Sequence, residues 1–117
     1  MTSIVTHYAY PRGGGVTVGI HIRRVSPQGD ASEPFSTHVL LAPEEALEMA
    51  DAIRDDLGRF RRESGTGAVE VFREPCESDE IIWMRADDEV RIPIDPRDGW
   101  RWDYAEDIGK AAREAVQ

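Results

Sequence analysis

The stretch Arg12-Gly13-Gly14-Gly15-Val16-Thr17-Val18-Gly19-Ile20-His21-Ile22 sets three glycines in front of a strict alternation. Val16, Val18, Ile20 and Ile22 point one way, and Thr17, Gly19, His21 and Arg23 the other, which is the period of a half-buried strand. Glycines tolerate the positive φ of a tight turn, so residues 3–10 fold back on 15–25 as an antiparallel hairpin with one core face. Taken with a three-residue loop at 13–15, this hairpin places His7 opposite His21 on the outer face.

Outward from the hairpin, residues 26–34 are rich in Ser, Pro, Gly and Asp and read as a loop leading to a third strand at 36–42. From 43 to about 63 the period becomes helical, with Ala46, Ala50, Ile53, Leu57 and Phe60 on one stripe. Pro43 suits the first helical position. Glu44 and Glu45 suit the positive end of the helix dipole and Arg59, Arg61 and Arg62 the negative end, with Gly65 as the stop. A strand at 67–74 follows, then a hairpin of 79–86 and 89–94 around Ala86-Asp87-Asp88-Glu89. Ile81-Ile82-Trp83-Met84 is apolar throughout, so both faces of that strand should be covered. A second helix is expected from 103 to about 116, with an Asp103/Glu106 capping box and a stripe of Tyr104, Ile108, Ala111 and Ala115. Gly109 inside it costs about 1 kcal/mol relative to alanine. The expected fold is α+β, one domain over residues 1–117, a mostly antiparallel sheet of five to seven strands with two helices in the order β-β-β-α-β-β-(β)-α.

Composition bounds the partners. The 117 residues are 40% hydrophobic and 32% charged, as in a globular protein. No apolar run approaches the roughly 20 residues of a membrane span, and the N-terminus lacks the basic start and apolar segment of a secretory signal. A single cysteine, Cys76, fits a reducing cytoplasm. Twenty-three acidic against 14 basic residues give a net charge of −9, which opposes direct binding to nucleic acid or anionic membrane. All basic residues but Lys110 are arginine, the coding bias of a GC-rich genome such as that of an actinobacterium, its phage or a halophile.

No motif nominates catalysis, a metal or a cofactor. His7, His21 and His38 sit on three strands without the i, i+4 spacing of a helical metal site, and read as solvent-facing residues. The Gly13-Gly14-Gly15 run precedes a strand, not the helix N-terminus that a phosphate loop requires. With Gly99 as the obligatory glycine, the calcium-loop template would put Ile94 and Ala105 at ligand positions. Cys76 lies among carboxylates that disfavour its thiolate, and no nucleophile elbow occurs. The protein is therefore read as a non-enzyme without a cofactor.

Two features point to binding. Glu44, Glu48, Asp51 and Asp55 fall on one row of the first helix opposite its apolar stripe, a docking strip for a basic partner; Asp55 with Arg59 partly offsets the repulsion within it. The second is Asp98-Gly99-Trp100-Arg101-Trp102-Asp103-Tyr104. With Asp98-Gly99 as a hairpin turn, Arg97 faces Trp100 and Asp95 faces Trp102. Trp102, just before the helix, is then the packing residue, and Trp100 with Arg97 the exposed contact.

The sequence Val39-Leu40-Leu41-Ala42-Pro43-Glu44-Glu45-Ala46-Leu47, a strand running into a Pro-Glu-Glu-Ala helix start, resembles a pattern in small uncharacterised α+β proteins of actinobacteria and their phages. The resemblance covers under a quarter of the chain and transfers no site residue. It implies an accessory factor or an inhibitor of another protein. The resulting expectation is a small acidic cytoplasmic protein-binding module, with a phage- or mobile-element-encoded immunity protein and an acidic DNA mimic as special cases. The competing reading is a small-molecule-binding or enzymatic domain with a pocket between sheet and C-terminal helix, involving Trp83, Trp100, Trp102 and His7 or His21. A third is a structural homo-oligomer, such as a homodimer, joined through one sheet face.

Overall fold

The computed structural model describes residues 2–29, 34–55, 58–65, 67–73, 79–94, 97 and 99–117. Leu57, Cys76, Asp95 and Asp98, which entered the sequence reading, lie outside the described residues. The chain is α+β, and the described residues form seven strands in two antiparallel sheets and two helices. Strands β1 (Thr2–Arg12), β2 (Gly15–Val25) and β3 (Phe35–Leu41) form the first sheet in that order, and helix α1 (Pro43–Arg54) follows. Strands β4 (Phe60–Ser64), β5 (Gly67–Phe72), β6 (Glu80–Arg85) and β7 (Asp88–Pro93) form the second as a meander, and helix α2 (Trp100–Ala115) closes the chain.

The β1–β2 register corrects the hairpin expectation. Arg12 pairs with Gly15, so the loop is the two-residue turn Gly13-Gly14, with φ of +57° and +84° at its glycines. Two consecutive positive-φ residues match the right-handed twist of the flanking strands, which a three-residue loop would not need. The shift of one residue moves His7 opposite Ile20 and leaves Thr6 opposite His21. His7 therefore belongs to the inner face, with Val16, Val18, Ile20 and Ile22. His21 and His38 remain on the outer face.

Helix α1 starts where its sequence indicates. Pro43 is the first helical residue, and the Glu45 carboxylate accepts the Ala42 N–H at 2.9 Å while also pairing with Arg62. The helix ends nine residues before the expected position, at Arg54, and Phe60, Arg61 and Arg62 open β4 instead. Two contacts decide this. A Cβ on Gly58 would stand 2.5 Å from the Ala52 Cα, so only glycine lets the chain cross back over the helix end. Arg61 then sits opposite Glu70 and pairs with it at 3.1 Å, a cross-strand partnership unavailable to a helix. Gly65 serves the β4–β5 turn at φ +61°.

The sheets meet at β3 and β5. A Cβ on Gly67 would lie 2.3 Å from the His38 carbonyl oxygen, and the Thr37 hydroxyl donates to the Met84 carbonyl at 3.2 Å. One hydrophobic cluster draws on both sheets and both helices, including Ile20, Val39, Met49, Ile53, Val69, Trp83 and Ile108. On the outer face of β6, Ile82 is buried and lies opposite Glu70 and Arg91 in register, where Arg61 with Glu63 and Glu70, and Arg91 with Glu80 and Glu89, form ion pairs on the strands to either side. Their aliphatic stems shield the isoleucine while the charges stay in water.

Candidate functional site

The C-terminal end of α1 is built by two arginines far away in sequence. Arg73, almost fully buried, donates from Nη2 to the carbonyls of Ala52 at 2.7 Å, Asp55 at 2.9 Å and Ile53 at 3.2 Å, and pairs through Nη1 with Asp79 at 3.0 Å. Arg101, also buried, donates from Nη2 to the Arg54 carbonyl at 3.0 Å. The last carbonyls of a helix lack partners within it and carry its negative pole, so two guanidiniums there satisfy the acceptors and offset the dipole together. Neither residue stood out in the sequence.

This anchoring fixes α1 with its acidic row outward. Glu44, Glu48, Asp51 and Asp55 are all exposed, Asp51 lying 3.7 Å from Arg54. Leu47, 43% exposed, sits among them. Glu48, Asp51 and Asp55, with Ala52, Gly58 and Arg59, line an open cleft of about 310 Å³. Of the expected row only Glu44, Glu48 and Asp51 lie on α1; Asp55 is its C-cap residue in extended conformation and Arg59 lies beyond it, because the helix ends at Arg54, so the two are not one helical turn apart. The Arg101 guanidinium also stacks on the Trp102 ring, 4.6 Å from its centroid, which carries that indole to the same end of α1.

The burial of the two tryptophans is the reverse of that expected. Helix α2 begins at Trp100, with Gly99 as N-cap, so no hairpin turn sets Arg97 across from Trp100, and Asp103 lies within the helix instead of capping it. Residues two apart on a helix point to nearly opposite sides. Trp102 is 45% exposed, whereas Trp100 packs on the core edge with Tyr104 one turn later. Trp100 stacks on His7 at 4.6 Å and 11°, and His7 lies 4.8 Å from the Tyr104 ring. The i, i+4 spacing of Trp100 and Tyr104 was the sequence signal for this cluster. Arg97 is exposed ahead of the helix.

Burial lowers the His7 pKa to about 4, keeping its imidazole neutral, and its Nε2 is shielded from solvent without a hydrogen-bond partner among the described residues. Burial, with a smaller contribution from Tyr8, holds the Tyr104 hydroxyl well above its usual range; it donates to the Gly19 carbonyl at 3.3 Å. Val5, Thr6, His7, Trp100, Asp103, Tyr104 and Asp107 line an open cleft of about 270 Å³ between β1 and α2. The pocket expected between sheet and helix thus has a counterpart, but Trp83 is fully buried on β6 and does not line it, nor do Trp102 and His21. No three metal-ligating side chains gather among the described residues.

Charge is segregated. Strands β1, β2 and β3 contain no Asp or Glu, only Arg12, Arg23, Arg24 and the three histidines, so every carboxylate side chain lies elsewhere. Among the described residues no helix is long and apolar enough to cross a membrane. Comparisons with protein-family models, with curated proteins and with solved structures find no match to this chain.

Proposed function

We propose that the protein is a small non-enzymatic module that docks on a basic protein surface through the outward row of α1. The observation that carries this reading is the segregated charge: the first sheet has no carboxylate, whereas the outward face of α1 presents Glu44, Glu48 and Asp51 around a half-exposed Leu47, with Asp55 exposed just past the helix end. Like charges one turn apart cost about 0.2–0.5 kcal/mol each, a standing penalty that a cationic partner relieves. A single-sign face also steers encounter and loses its effect as salt rises. Trp102 over Arg101 supplies an aromatic anchor at the end of the row, in the place first assigned to Trp100 and Arg97. The cytoplasm is the compartment that fits a lone cysteine. An accessory factor or inhibitor of a host protein, carried by an actinobacterium or its phage, is the biological setting consistent with the arginine-dominated composition.

Affinity capture with the wild type and with a Glu44→Gln/Glu48→Gln/Asp51→Asn/Asp55→Asn variant tests the reading. The expected result is a basic partner retained by the wild type at low salt, released at high salt and absent from the variant. A partner retained equally by both proteins would overturn it.

A further inference from the structure

The outer edge of β1 is the second surface at which this protein can be read for a partner. Among the described residues there are four sheet edges. β3 lies against the second sheet, and β4 and β7 are short and charged, with Arg61, Arg62 and Glu63 on one and Asp88, Glu89 and Arg91 on the other. Short length and charge are how edges ordinarily avoid pairing. β1 has neither protection: it is 11 residues long, has no charged residue before Arg12, and pairs with β2 in unbroken register. Among the described residues no strand pairs with its other side.

The register says which groups are open there. Arg12 and Gly15 flank a two-residue turn and form a hydrogen-bonded pair, and with them alternate residues 10, 8, 6 and 4 bond to β2. The N–H groups of Ser3, Val5, His7 and Ala9 therefore point outward. Pro11, which has no N–H to give, falls on the same outward series, where it breaks no ladder bond. Beside this edge runs the open flank of α2. Asp103 and Asp107 share the cleft with Val5 and His7, and Asp107, Lys110 and Glu114 share a second, of about 330 Å³, with Ala9, Tyr10 and Pro11.

We propose that the β1 edge binds an extended segment of a partner protein by strand addition, with basic side chains at alternate positions. Its backbone would complete the hydrogen bonds of Ser3, Val5, His7 and Ala9. Side chains on its inner face would meet three carboxylates, Asp103, Asp107 and Glu114, against one cation, Lys110, and those on its outer face would lie beside Thr6, Tyr8 and Tyr10. A second copy of this chain fits less well. Pairing β1 with β1 would bring the carboxylates of two α2 helices together on the same side of one sheet. The site shares no residue with the α1 row, so the two can fail separately.

The test uses the full chain and a synthetic peptide of alternating Lys and Val, about nine residues long so that it spans residues 3–11, with a Glu–Val peptide as control. Titration followed by calorimetry and amide chemical shifts should show the Lys–Val peptide bound and the shifts confined to β1 and α2. Val5→Pro and Ala9→Pro each remove one outward donor while sparing the β2 ladder. Each should weaken binding by about tenfold, the effect of roughly 1.4 kcal/mol, with unchanged circular dichroism. Asp103→Lys with Asp107→Lys should reverse the preference toward the Glu–Val peptide, and the α1 variant should bind as the wild type does. No binding, equal binding of both peptides, indifference to both prolines, or a wild-type dimer that the prolines dissociate would each overturn the proposal.

Discussion

Replacing His7 with phenylalanine keeps an aromatic ring against Trp100 and removes the only group at that position that can take up a proton. In the folded protein burial holds the His7 pKa near 4, against 6.5 in an unconstrained chain. Above pH 6.5 the imidazole is neutral in both states and stability is indifferent to it. As pH falls below 6.5 the unfolded chain binds a proton that the folded chain refuses, so stability is lost, and the loss is complete only below about 4. The full gap corresponds to about 3 kcal/mol, and about 2 kcal/mol of it is spent between pH 7 and pH 5. Asp103 and Asp107 line the same cleft and would favour the imidazolium, but burial is the cause that dominates. Urea unfolding of wild type and His7→Phe at pH 7, 6 and 5 isolates this contribution, because the rest of the chain is common to both. The variant should gain about 2 kcal/mol on the wild type between pH 7 and pH 5. Parallel pH profiles would show that the folded state protonates His7 freely and would refute its placement on the inner face.

Other perturbations follow from the same geometry. Gly67→Ala drives a Cβ into the His38 carbonyl, where backbone cannot yield, and should cost about 3 kcal/mol in chemical unfolding. Arg73→Met strands three carbonyls at the end of α1 together with Asp79, and should cost about 3–5 kcal/mol; a loss under about 1 kcal/mol would mean that the guanidinium does not hold the helix end. Trp100→Ala removes a ring packed on the core edge and should cost about 2–3 kcal/mol, whereas Trp102→Ala should change stability by less than about 1 kcal/mol. The reverse order would restore the roles read from the sequence.

The contrast between those two tryptophans shows what the sequence discloses and what it withholds. Strand β2 was legible because Val16, Val18, Ile20 and Ile22 alternate without interruption, and the start of α1 because Pro43, Glu44 and Glu45 are local helix-start chemistry. The shared face of Glu44, Glu48 and Asp51 was legible for the same reason, since it depends only on helical period, but Asp55 falls past the helix end. The end of α1 was not, because it is decided by Arg73 and Arg101, residues that reach it from elsewhere in the chain, and by the close pass of Gly58 over Ala52. β4 was hidden inside a helical pattern for want of its partner, since Arg61 declares itself a strand residue only opposite Glu70. The His7 cluster was missed through one residue of loop length: a register slip of one exchanges the faces of a strand, and Trp100 could not be set against His7 while both were assigned to the wrong side.

Carbodiimide labelling of carboxylates with and without the captured partner, read by mass spectrometry, reports whether the outward row of α1 docks on a basic protein. Glu44, Glu48, Asp51 and Asp55 should label readily in the free protein and be protected in the complex, while Glu63 and Glu89 on the outer face of the second sheet should label equally in both. Equal labelling of the α1 row with and without partner would contradict that docking.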